Sequence, residues 1–157
     1  MPSIAAEAEQ PAGREPGPLA GLDPGRSKCG LVLTDAARRR ILEAVVLPPE
    51  ACWQLLLQWR QRGLTAVVLG DGTGSSSWLQ RLDPELPVHT VVERGTTLAA
   101  RERFWDLEPP RGWRRLLPRG LRQPPRDWDD VVAQLLLERW LGYPLQRTQK
   151  LARTVKA

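Results

Sequence analysis

The chain has 157 residues and a mass of 17.6 kDa, a length that suits one domain and leaves little room for two. Hydrophobic residues make up 41% and charged residues 26%, and no apolar run approaches the roughly 18 residues that span a bilayer, which excludes a helical membrane protein. The net charge of +5 is unevenly spread: residues 1–110 hold 12 basic and 14 acidic groups, whereas residues 111–157 hold 11 basic and 4 acidic groups, so the last third can attract a polyanion.

Residues 1–17 are rich in Pro, Ala, Glu and Gly and almost free of large apolar side chains, so they read as a disordered tail. They lack the basic start and apolar core of a secretory signal, and a cytoplasmic location is expected. Leu19–Asp23 reads as a first strand, Pro24-Gly25 as a turn, and Cys29–Thr34 as a second strand returning from it. Asp35-Ala36-Ala37 makes the next turn, and Arg40–Leu47 reads as a third strand, so an antiparallel meander opens the domain. The period then changes. Pro48-Pro49-Glu50 opens a helix to about Arg62, with Cys52, Leu55, Leu56 and Trp59 on one stripe and Gly63 ending it.

Leu64–Leu69 is a continuous apolar run, as expected of a strand covered on both faces. The glycine loop 70–74 leads to a short helix at Ser75–Leu82, and Pro87–Val92 reads as a fifth strand. Thr96 or Thr97 can cap a helix reaching to about Leu107. Residues 108–126, with five prolines and six arginines, are loop-like. A last helix is predicted from about Trp128 to Leu141, with Val131, Val132, Leu135, Leu136 and Trp140 apolar, and residues 143–157 form a basic C-terminal tail. The expected fold is an α/β domain over residues 18–142. Its mixed five-stranded sheet has antiparallel first three strands, then parallel ones, and is flanked by helices.

His89 is the only histidine, and Cys29 and Cys52 form no CxxC pair. A structural zinc site lacks ligands, a Ser-His-Asp or Cys-His mechanism would rest on His89 alone, and both cysteines read as buried reduced thiols. The acidic residues remain. Asp23, Asp71 and Glu93 end the first, fourth and fifth strands, and Asp129 and Asp130 open the last helix. Sites in open α/β sheets gather beyond the carboxyl ends of parallel strands. Carboxylates brought together there repel, and a divalent cation with oxygen ligands relieves the repulsion. Acidic strand ends beside a basic surface therefore point to metal-dependent phosphodiester hydrolysis. Each residue also has a plainer role available. Asp23 and Asp71 suit their turns, Glu93 can pair with Arg94 or Arg101, and Asp129 and Asp130 suit a helix N-terminus.

Together these segments are similar to the YqgF (RuvX) family of Holliday-junction resolvases and pre-16S rRNA-processing nucleases, and most to a cyanobacterial branch. GLDPGRSKCG (Gly21–Gly30) resembles the family's first-strand motif, VVERGTTLAAR (Val91–Arg101) its E-R-x-[ST]-T-x-x-A-R segment, and WDDVVAQLLLERWL (Trp128–Leu141) its final helix. The resemblance implies an RNase H-like fold and places the catalytic and metal-binding acids on Asp23, Glu93 and Asp129, holding Mg²⁺ or Mn²⁺. The family's usual Asp before the Glu is Val92 here, and Asp71 is a candidate fourth carboxylate, with Asp130 an open question.

Arg26, Lys28, Arg94, Arg101, Arg111, Arg114 and Arg115 are the candidate nucleic-acid contacts, with Trp113 offering a stacking face. The expected partner is an rRNA precursor or branched DNA, and a homodimer would suit a two-fold junction. A non-catalytic RNA-binding or ribosome-assembly factor of the same fold is the second reading. The pattern D-x-G-x-x-x-x-G at Asp23, Gly25 and Gly30 also occurs in actin-like and sugar-kinase phosphate loops, but those hold nucleotide between two domains.

Overall fold

The computed structural model describes residues 15–72 and 74–152, with side chains described through residue 148. Six strands and four helices follow in the order β1 (Leu19–Asp23), β2 (Cys29–Thr34), β3 (Arg40–Leu47), α1 (Pro49–Gln61), β4 (Ala66–Gly70), α2 (Ser75–Leu82), β5 (Val88–Val91), α3 (Thr96–Leu107), α4 (Asp129–Leu141) and β6 (Gln146–Ala152). The sheet order is β5-β4-β1-β2-β3-β6. β1, β2 and β3 are antiparallel neighbours, β4 and β5 run parallel to β1, and β6 runs parallel to β3. This is the expected α/β architecture, antiparallel in its first three strands, parallel beyond them and flanked by helices, with one more strand than expected.

β6 corrects the reading of residues 143–157 as a tail. Its sequence, QRTQKLA, carries no alternating apolar face, because an edge strand is paired on one side only and tolerates charge. Before it, Leu145 is buried at 1% exposure and the Tyr143 hydroxyl donates to Arg38 O at 2.8 Å. The N-terminal tail reading is corrected at its end as well. Gly17 N donates to Ala36 O, and Arg38 Nε donates to Gly17 O at 2.9 Å. Residues 1–14 and 153–157, the rest of both expected tails, lie outside the described residues.

Three layers bury the sheet. One face carries Leu22, Leu31 and Val67 against Cys52, Leu56 and Trp59 of α1 and Trp78 and Leu82 of α2. The other carries Leu19, Val32, Ile41 and Val68 against Ala133, Leu136 and Leu137 of α4. α3 then packs outside on α4 through Ala100, Phe104, Trp105, Val131 and Val132. β4 is buried along its whole length, as its apolar run requires, whereas β5 is a half-exposed edge. Trp140, expected among the apolar residues of α4, is 37% exposed and stacks on His89 at 4.7 Å. Among the described residues no helix is long and apolar enough to cross a membrane.

α4 lies unusually near the sheet because β1 and β2 present glycines beneath it. A Cβ at Gly21 would sit 2.6 Å from Ala133 O, and one at Gly30 would sit 1.9 Å from Asp129 O. Both contacts are with backbone, which cannot rotate aside. Gly30→Ala is therefore expected to cost about 1–3 kcal/mol through overpacking. Thermal unfolding should show it as a Tm drop of roughly 2–12 °C. An unchanged Tm would mean that α4 does not seat on this glycine.

Candidate active site

The parallel strands bring their carboxyl ends to one edge. β1 ends at Asp23, which pairs with Gly30 at the start of β2. Gly70 of β4 pairs with Val91 of β5, so the segments carrying Asp71 and Glu93 leave the sheet side by side. The close seating of α4 on Gly30 then delivers Asp129 to the same edge. Asp23, Glu93 and Asp129 line one cleft of about 220 Å³, with Lys28, Thr96, Thr97, Asp127, Trp128 and Val132 completing its walls.

The space for Glu93 is prepared by two glycines. A Cβ at Gly70 would lie 2.2 Å from its Oε1, and one at Gly72 would lie 1.8 Å from its Oε2. Asp71 between them accepts the Glu93 amide on Oδ1 at 2.9 Å. Asp71 thus holds the backbone of Glu93 and is not among the residues lining the cleft. Arg139 of α4 donates to Val92 O at 2.8 Å and Arg94 O at 3.0 Å, clamping both flanks of Glu93. The cap of α3 is Gly95 in the left-handed region (φ 77°), not Thr96 or Thr97. Thr96 is buried, and its hydroxyl instead donates back to Glu93 O.

The electrostatics are those of crowded acids. Burial, with the Glu93 carboxylate beside it and Asp129 beyond, pushes Asp23 up to about 8. Burial also raises Asp129, opposed by the Lys28 ammonium. Lys28 lies 2.6 Å from Asp127 and 3.8 Å from Asp129, and the bond to Asp127 raises its own pKa. Among the described residues no three His, Cys, Asp or Glu side chains are drawn together tightly enough to hold a metal ion. The donor set still suits a hard cation: oxygen ligands only, with the Asp23 and Glu93 carboxyls facing the same cleft. Lys28 occupies the flank through which Asp129 would join them.

Asp130 points away from the cleft. It is 3% exposed and takes guanidinium bonds from Arg126 at 2.8 Å and Arg147 of β6 at 3.1 Å. Arg126 also reaches Glu108 at 2.6 Å, so one ion chain joins α3, the first turn of α4 and β6. Cys29 and Cys52 are buried free thiols, as expected. Cys29 supports the turn after Asp23 by accepting the Gly25 amide at 3.5 Å.

The basic candidates divide. Arg26, Arg94, Arg111 and Arg115 are exposed, and Lys28 is half-buried in the cleft. Arg114 lies over the Trp113 ring at 4.9 Å. Arg101 is committed elsewhere: it donates to Gly120 O at 2.8 Å and to Arg122 O. With Arg119 and Arg122 it knits residues 108–126 into two short 3-10 turns, Gly112–Leu116 and Arg119–Leu121, where the sequence predicts only a loop. Sequence reasoning misses Asp127, although it stands in the same PPRDWDD stretch as Asp129. It reads Gly70 and Gly72 only as loop residues.

No protein-family model matches the chain, and no curated protein matches it in sequence. Solved structures show a low similarity to the chain. T. thermophilus RuvC in complex with Holliday junction substrate is 16% identical over 80% of this chain and 94% of that chain, with a TM-score of 0.43. A further Thermus thermophilus RuvC structure is 17% identical over 80% and 96%, with a TM-score of 0.39. A ROK hexokinase from Thermus thermophilus is 19% identical over 57% of this chain and 37% of that chain, with a TM-score of 0.36. Likenesses at these identities and TM-scores carry no argument about what this chain does.

Proposed function

We propose that the protein is a divalent-cation-dependent endonuclease acting on structured nucleic acid, an rRNA precursor or branched DNA. One observation carries the reading: three acids from distant parts of the sequence, Asp23, Glu93 and Asp129, line a single cleft at the carboxyl edge of the parallel strands. Asp23 and Glu93 would hold Mg²⁺ or Mn²⁺, joined by Asp129. When bound, such a cation activates water and stabilises the leaving oxygen of a phosphodiester. Asp71 and Arg139 keep Glu93 in place. Lys28, within reach of Asp129, gives the same cleft a cation that can meet a phosphate oxygen. Arg26, Arg111 and Arg115 stand exposed and able to engage the backbone.

The ion pairs of Lys28 favour a second reading. An ammonium bridging Asp127 and Asp129 neutralises part of the cleft without a metal, as would suit a nucleic-acid-binding assembly factor that does not cut. Incubation with a labelled pre-rRNA leader and a four-way DNA junction, each with Mg²⁺, Mn²⁺ or EDTA, separates the two. Cutting of one substrate that EDTA abolishes is the expected result. Binding of either substrate without cutting in any metal would support the assembly factor instead.

A further inference from the structure

A second cavity, of about 410 Å³, lies between the C-terminal half of α3 and the arginine- and proline-rich segment that follows it. Flat apolar groups form its walls: Trp105, Pro109 and Pro125. Arg111 and Arg114 also line it, Arg111 exposed and Arg114 half-buried. Trp105 is 6% exposed, and its indole N–H is buried without a hydrogen-bond partner. An unmet buried donor costs about 1–3 kcal/mol. Trp105 lines the cavity, so a ligand acceptor that reached its N–H would relieve that cost.

We infer that this cavity receives one unpaired nucleobase of a nucleic-acid strand, with Arg111 and Arg114 on the adjoining phosphates. Each feature of the site matches one part of that ligand. A base is flat and packs on proline faces, here the exposed Pro109 and Pro125, and its edge carries acceptors that an indole N–H can meet. Its backbone carries the negative charge that two guanidiniums would attract. The carboxylate in the cavity wall, Glu108, is engaged by Arg126, so its charge is offset. Arg126 in turn holds Asp130, the neighbour of Asp129. A strand held here is therefore tied to the helix turn that lines the acidic cleft. The protein then selects strands with unpaired bases, at loops, bulges or junction centres, over continuous duplex.

The inference rests on the nucleic-acid part of the proposed function and not on catalysis, so the test is a binding one in EDTA. Fluorescence anisotropy of the full chain would compare a labelled short RNA single strand with a blunt duplex of the same sequence. The single strand is expected to bind about tenfold more tightly. Trp105→Phe keeps an aromatic ring but removes the N–H, and it should weaken single-strand binding several-fold while leaving duplex binding unchanged. Arg111→Ala, at an exposed position that folding does not need, should weaken single-strand binding as well. Equal affinity for both substrates, or no change in either variant, would overturn the inference. So would competition at matching affinity by free AMP, which would make the cavity a mononucleotide site, or by poly-glutamate, which would make it an acidic-peptide site. Failure here alongside EDTA-sensitive cutting would leave the nuclease reading standing. The expected binding without cutting would do the reverse.

Discussion

Asp23→Asn is expected to abolish cleavage and at the same time to stabilise the metal-free fold. The two effects have one cause. Asp23 sits where burial and Glu93 disfavour its charge, raising its pKa to about 8. A group whose folded pKa is raised binds more protons in the folded state than in the unfolded one. Folding stability of the metal-free protein should therefore fall as pH rises from about 4 to about 8. Asparagine cannot ionise, so the variant should lose that slope and melt several degrees higher at pH 8. Cation binding needs the ionised carboxylate, so affinity for Mg²⁺ should climb over the same range and be lost in the variant. Outer-shell partners of metal ligands cost roughly 10–100-fold when removed. A ligand itself should cost more than about 100-fold in cleavage rate. Melting curves across pH, run beside the cleavage assay, check both halves. A variant that loses activity and also loses stability would mean that Asp23 is a structural residue.

Asp130→Ala should produce the largest loss of stability. Asp130 is 4% exposed at its side chain and neutralises Arg147, itself 9% exposed and held otherwise through Gln134. Burial already lowers the Arg147 pKa, and Asp130 is what opposes that. Removing one member of a buried ion pair leaves a charge without compensation, at about 3–5 kcal/mol. Denaturant unfolding should show a lower midpoint with little change in slope. The double variant Asp130→Leu with Arg147→Met removes both charges and should recover much of the loss, because no orphaned ion remains. A single variant as stable as wild type would show that β6 and its arginine do not hold α4. Asp130 is thus best understood as the residue that fixes the helix turn from which Asp129 enters the cleft.

Much of this was legible in residue order. The strands β1, β2 and β3 and the helices α2 and α3 stand where hydrophobic period and turn residues put them, because local pattern and burial agree there. The acids at strand ends could be read as neighbours because parallel strands share an edge. What pattern cannot show is contact across the fold. Gly30 looks like an ordinary strand glycine until α4 is laid over it. Asp129 and Asp130 are adjacent in sequence and equally suited to a helix start. Only the arginines of β6 and the preceding loop turn one inward to an ion chain and leave the other at the cleft. β6 was missed because an edge strand needs no apolar face. The thoroughly bonded 108–126 segment was missed because its order comes from guanidinium bonds to backbone carbonyls, which leave no periodic trace.

The most direct measurement is a calorimetric titration of Mn²⁺ into the wild-type protein and into Asp23→Asn at pH 8, where about half of the wild-type carboxylate is already ionised. Saturable binding by the wild type, absent from the variant, is the expected result. Equal binding by both, or none by either, would contradict the assignment of this cleft as a cation site.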